Sequence, residues 1–308
     1  MSSSIAERVA SGTNVYVPTP LIGCFLSAED PAFLGPNRKW NSINTDQERF
    51  LTTAFEPGRN LAQYMRPGEL DSVASWECKI VNAFLKKHGF KIQLEEFDDD
   101  TFGVASVMKV MDRWIKEGKS TQIDCQDGEM REGFEVTAGY EVLLARSHPN
   151  PIACITTQNG DRVHFTVAEK KATGFDLLDK ITKISSEGEK VGSMFDALQA
   201  PMIDLDLESD VSWLLDMWTN SAAGQKARIT QALLQTKLKI NETGFLCESA
   251  ASMAVTLEAC YDGPSNPLII DEPCLFWIER PGLPRTLPII AAYLDYDVWN
   301  SPGEIEGL

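Results

Sequence analysis

The run PIACITTQNGDRVHFTV, Pro151 to Val167, constrains this chain more than any other stretch. Two β-rich segments flank Asn159-Gly160, a dipeptide that readily takes the positive φ values of a two-residue hairpin turn. The spacing predicts an antiparallel pair. Other segments share the strand period. In FEVTAGYEVLL, Phe134, Val136, Ala138, Tyr140, Val142 and Leu144 alternate. In MIDLDLES, Ile203, Leu205 and Leu207 alternate with Asp204, Asp206 and Glu208. In ALLQTKLKI, Leu234, Thr236, Leu238 and Ile240 share one face. PCLFWIERPGLPRTLPIIAAYLDYDVW reads as two hydrophobic strands, 273–279 and 286–294, joined by a Gly/Pro loop.

The first third reads differently. Leu70, Val73, Ala74, Val81, Phe84 and Leu85 fall on one helical face over 69–88, with Gly89 as the stop. Val107, Val110, Met111, Trp114 and Ile115 predict a second helix over about 104–117, ended by Gly118. Shorter helical stretches follow at 174–184 and in SWLLDMW, Ser212 to Trp218. Helices early, strands late and no strict β-α-β alternation give an α+β chain built around antiparallel sheet. Residues 1–308 read as one domain.

Composition narrows the function. Forty-five acidic against 28 basic residues leave a formal charge of -17, which repels phosphate backbones and acidic lipid alike. Nucleic acid and membrane are therefore not expected partners, and no run of apolar residues is long enough to span a bilayer. Seven scattered cysteines without a C-x-x-C pair, and an N-terminus without a basic start and apolar core, predict a cytoplasmic protein with reduced thiols. The three histidines, His88, His148 and His164, lack metal spacing. The acidic run Glu95 to Asp100 lacks the alternating ligands and Gly of a calcium loop, and reads as solvated. Asp204, Asp206 and Glu208 fit the wet face of a strand. No G-x-S-x-G, phosphate loop or H-E-x-x-H occurs, so neither an enzyme nor a cofactor is read here.

KINETGFLCESAASMAVTLEACYDGPSNP, Lys239 to Pro267, is unusual: a charged strand enters a Glu-Thr-Gly corner, then an uncharged run of small residues from Ser249 to Thr256. With its flanks it resembles the serpins. TNVYVPTPLI looks like the family's segment entering its second helix. MDRWIKEGKSTQI looks like the helix lying across the main sheet. PMIDLDLESDVSWLLDM, ITQALLQTKLKINETG, IIDEPCLFWIER and LPIIAAYLDYDVW follow in the family's order, the second being the strand and hinge. Leu234-Gln235-Thr236 stands where the family carries H-K-A, and the chain is several dozen residues short.

The resemblance implies a serpin-like fold with a large, mainly antiparallel sheet, N-terminal helices and a C-terminal strand pair. It implies a hinge at Glu242, Thr243, Gly244, Phe245 and Cys247, and an exposed loop over about 245–266. Cleavage is expected after Glu258, before Ala259, with Leu257 and Cys260 as neighbouring alternatives. A serine or cysteine protease would be trapped as the cut loop enters the sheet, the chain acting as a monomeric suicide inhibitor. The period suits this: Phe245, Cys247, Ser249, Ala251, Met253 and Val255 share one face, and the only charge, Glu248, lies on the other. Phe245 argues the other way, since a large ring leading the insertion would cost roughly 1–3 kcal/mol of overpacking. The alternative is a non-inhibitory serpin-fold carrier, chaperone or binding protein.

Overall fold

His148–Thr156 and Arg162–Val167 form the antiparallel hairpin, with Ile155 opposite Val163 and Gly160 at φ 87°. They lie inside a seven-stranded sheet of the order Asn14–Tyr16, Ile290–Leu294, Cys274–Glu279, Arg162–Val167, His148–Thr156, Tyr140–Ala145, Glu189–Lys190. Every neighbouring pair in it is antiparallel. The computed structural model describes residues 12–98, 100–192, 194–247 and 266–308, and the backbone of 251–252.

A second sheet is split. Its continuous part has the order Ile203–Ser209, Leu234–Ile240, Gly244–Cys247, Val110–Arg113. Lys109 alone separates Val110–Arg113 from the strand Gly103–Met108, which pairs with Leu70–Ser75. A third sheet holds Pro267–Ile269, Ala197–Pro201, Met130–Val136 and Lys119–Asp124.

Three helical expectations change. Residues 69–88 give a strand, Leu70–Ser75, and then the helix Cys78–Lys87. Residues 104–117 give two strands in line, so no helix carrying Trp114 crosses the main sheet. Both faces of Gly103–Met108 are covered, with Ala105 and Val107 packed beneath Val81 and Leu85, and Met108 in the core on the other side. A strand covered twice loses its alternation and can mimic a helical face. SWLLDMW holds only a 3-10 turn, Ser212–Leu214, before the strand Trp218–Asn220. The single alternating run at 134–144 splits between two sheets at Gly139, φ 81°.

The core has two layers. One joins the seven-stranded sheet to the split sheet, bringing Val163, Phe165, Phe276 and Ala292 together with Val110, Leu238 and Phe245. The other packs the opposite face of the seven-stranded sheet against the helices Pro18–Ala28 and Gly174–Glu187. Pro18 at the first position of the first helix suits that place, where a missing N–H costs little. Asp204, Asp206 and Glu208 lie on the outward face of Ile203–Ser209. No group of potential metal ligands gathers among the described residues.

Candidate functional site

Leu234–Ile240 reverses into Gly244–Cys247 through the corner Asn241-Glu242-Thr243. Asn241 organises it. Its side-chain oxygen accepts from the N–H groups of Thr243 (3.0 Å) and Gly244 (3.3 Å), and its amide nitrogen donates to the Gly303 carbonyl at 2.9 Å. The Trp114 indole donates to the Asn241 carbonyl at 3.0 Å. The backbone N–H groups of Trp114 and Gly118 bond the carbonyls of Thr243 and Glu242 at 3.0 and 2.8 Å. Gly244 permits the close approach to the next strand: a Cβ there would lie 2.2 Å from the Asp112 carbonyl oxygen.

Of the expected hinge residues, Glu242 and Thr243 are half-buried and Gly244, Phe245 and Cys247 are buried. The exposed loop therefore does not begin at 245. Residues 245–247 lie inside the split sheet, Phe245 between Ile240 and Asp112 and Cys247 against Val110. The reason is apolar burial on both faces: Phe245, Leu246 and Cys247 are 0%, 1% and 3% exposed. The Phe245 ring faces Trp114 at 6.0 Å, and Trp114 stacks on Phe134 at 5.8 Å. The expected overpacking by an entering ring thus gives way to a ring already seated. The candidate cut at Glu258 and Ala259, with Leu257 and Cys260, lies outside the described residues.

Beyond Cys247 the sheet is divided. Among the described residues, the strand on the side of Leu234–Ile240 away from Ile203–Ser209 pairs only with Lys239 and Ile240. Among them Gly103–Met108 likewise pairs on one side, with Leu70–Ser75. Both edges line a cavity of about 570 Å³, whose floor includes Leu21, Cys24 and Phe25. Burial pushes the Cys24 thiol up to about 12, although a backbone hydrogen bond from Ser106 opposes it. Extending the register of Gly244–Cys247 would set position 249 against Met108 and position 251 against Leu234. In the structure, Ala251–Ser252 instead pairs antiparallel with Glu304–Ile305.

A buried charge cluster fixes the strand beside the hinge. Arg280 donates to Asp161 at 2.9 and 2.7 Å and forms an ion pair with Glu69. Arg66 reaches Asp161 at 3.1 Å. Asp112, opposite Phe245 in the ladder, accepts from the Thr157 hydroxyl at 2.6 Å. Sequence reasoning missed this cluster, because Glu69, Asp112, Asp161 and Arg280 share no local spacing. It also read Trp114 as helical, when the indole is the clamp of the corner.

No protein-family model and no curated protein matches the chain. Solved structures do. The chain is similar to Serpin48 of the insect Tenebrio molitor, a highly specific serpin, at a TM-score of 0.52 and 10% identity, covering 92% of this chain and 91% of that one. It is similar to thyroxine-binding globulin in complex with thyroxine, at 0.56 and 10% identity, covering 95% and 93%. SRPN18 from Anopheles gambiae gives 0.53 and 12% identity, covering 96% and 93%.

Proposed function

The chain has the serpin fold, and on that premise we propose that it is a loop-inserting inhibitor of a serine or cysteine protease. The observation that carries this reading is the alignment of Gly244–Cys247 with the gap between Leu234–Leu238 and Gly103–Met108, in which no strand lies among the described residues. In the proposed mechanism Glu242 and Thr243 form the corner, and Gly244, Phe245 and Cys247 are the first inserted residues. The protease nucleophile attacks the Glu258 carbonyl, the Ala259 amine leaves, and an acyl-enzyme forms. Residues following Cys247 then extend the ladder between Leu234–Leu238 and Gly103–Met108, carrying the acylated protease with them. On the inner face this brings Ser249, Ala251 and Met253 over the cavity, residues small or flexible enough to pack there. Such a protein acts as a monomeric trap with no catalytic group of its own.

The test is incubation with a panel of proteases, Glu-specific ones included, followed by a denaturing gel. A covalent band at the summed mass supports inhibition. Clean cleavage without that band sinks it.

The apolar cavity favours a second reading, a carrier of a small apolar ligand. Thyroxine-binding globulin, in complex with thyroxine, shares the fold. Saturable binding of an apolar fluorophore, with no covalent complex to any protease, would favour it.

A further inference from the structure

Phe33, Trp76 and Phe102 meet where the apolar cavity reaches the surface, and all three line it. Trp76 is 51% exposed, while Phe33 and Phe102 are half-buried beside it. Phe33 stacks on the indole at 5.5 Å and 29°. Phe102 meets the indole edge-on at 5.3 Å and 64°, and lies 4.8 Å from Phe33.

The fold fixes each ring from a different direction. Ser75 opposite Gly103 is the last pair between Leu70–Ser75 and Gly103–Met108, so Trp76 and Phe102 follow as the next opposed positions. Phe33 stands in the turn after Pro18–Ala28. There the Asp30 carboxylate accepts from the Ala32 N–H at 2.8 Å, and the Asp30 carbonyl accepts from the Phe33 N–H at 2.9 Å. An indole held by a ring on one face and another at its edge is already oriented, so a flat molecule stacking on its open surface orders little of the protein. A lone exposed apolar side chain is ordinary. An exposed indole continuous with two further rings and a cavity of about 570 Å³ has the makings of a binding site.

The lining also selects charge. Its floor is neutral: Leu21 and Phe25 are apolar, and burial keeps the Cys24 thiol protonated. Asp98 and Asp100 are exposed at the rim. The cations of the lining are engaged elsewhere. Arg228 pairs with Asp216 at 3.0 Å, Lys226 lies over the Trp218 ring at 4.5 Å, and Lys237 donates to the Gly89 carbonyl at 2.8 Å. An acid would have to pass two carboxylates on a chain of charge -17 to reach a floor without a cation.

We propose that the cavity is a site for an uncharged, planar aromatic compound, one ring of which stacks on Trp76 while the remainder lies over Leu21, Cys24 and Phe25. The proposal rests on the carrier reading above and gives that reading its ligand class.

The experiment titrates the full chain with Nile red, a neutral fused-ring dye whose emission rises when it leaves water. Wild type is expected to saturate. Trp76→Phe keeps a flat ring and should bind within about threefold of wild type. Trp76→Leu keeps apolar bulk without a flat face, and Trp76→Ala keeps neither. Both should bind about tenfold more weakly, equivalent to about 1.4 kcal/mol. Either of the two suffices should the other fail to fold. Competition against the bound dye compares 2-naphthalenemethanol with 2-naphthoate, the same rings without and with a charge. The alcohol is expected to displace the dye at about tenfold lower concentration. Saturable binding that Trp76→Leu and Trp76→Ala leave at the wild-type affinity overturns the stacking site and leaves the carrier reading standing. Naphthoate competing as well as the alcohol overturns the uncharged class. Wild type that does not saturate removes the carrier reading, and this proposal with it.

Discussion

The Phe245 ring lies 6.0 Å from the Trp114 indole, tilted by 39°, and the same indole donates a hydrogen bond to the Asn241 carbonyl. One side chain thus holds both the corner and the first apolar residue after it. The corner cannot open without uncovering the ring.

This relationship reverses what the sequence suggests for Phe245→Thr. A smaller residue at an entering position would speed insertion; at a seated position it leaves a cavity. We expect Phe245→Thr to lose about 3 kcal/mol or more of stability. We also expect it to insert no faster than wild type. Denaturant unfolding and the rate of heat-resistance gain after cleavage check both. A variant as stable as wild type would mean the ring is not held by Trp114.

Cleavage after Glu258 is expected to raise the melting temperature. Each backbone hydrogen bond gained on insertion contributes a net of about 0.5–1.5 kcal/mol, and the inner-face side chains add about 25 cal/mol per Å² buried. The sum implies a rise on the order of 20 °C. Scanning calorimetry before and after the cut measures it; an unchanged melting point removes the inhibitor reading.

Arg280→Ala should destabilise by about 3–5 kcal/mol, because Asp161 and Glu69 are left buried without their main cation. Arg66, more exposed, reaches both carboxylates and replaces only part of the loss. Arg66→Ala should therefore cost less than Arg280→Ala. The reverse order in urea unfolding would show that Arg66 carries the cluster.

His164 gives the chain an acid sensitivity. Its ring stacks on Trp277 at 4.6 Å, and burial pushes its pKa down to about 4, with Glu279 opposing and Arg162 adding to the fall. The unfolded chain takes up this proton near pH 6.5, so protonation favours the unfolded state below that value. Stability from this site is full above about pH 6.5 and falls by about 2–3 kcal/mol towards pH 4. His164→Phe keeps a ring in the stack and should flatten that part of the profile. An identical pH dependence in His164→Phe would exclude the histidine as its source.

Some of this was readable from the chain and some was not, for physical reasons. The Asn159-Gly160 hairpin and the strands Leu234–Ile240, Cys274–Glu279 and Ile290–Leu294 carry their own turn or period. Leu70–Ser75 and Gly103–Met108 do not: they are defined by each other, the first lying half-exposed and the second covered on both faces, so that it has no alternation to display. The Glu242-Thr243-Gly244 corner was visible in its residue types, but the part Asn241 plays in organising it was not. That Phe245 lies inside the sheet depends on Trp114, which comes from a distant part of the chain. Residues 89–98 read only as an acidic, solvated run at their end, because the side chains that bond them, Asn82, Gln231 and Gln235, are ordinary amides until the fold assembles them.

The pairing of Asn14 with Tyr293 and of Leu275 with both Tyr293 and Thr166 has a consequence for biosynthesis. A ribosome delivers the helices, the hinge and the split sheet well before residues 290–294. Until those residues emerge, Cys274–Glu279 is an edge, and Asn14–Tyr16 has no neighbour in its sheet. The nascent chain thus exposes an apolar edge for as long as translation of the remaining segment takes, and pairings of such long range form slowly. A holding chaperone, or a slow stretch of codons, would act in that interval, and substitutions that weaken Ile290–Leu294 would lower yield more than they lower the melting temperature of the molecules that fold.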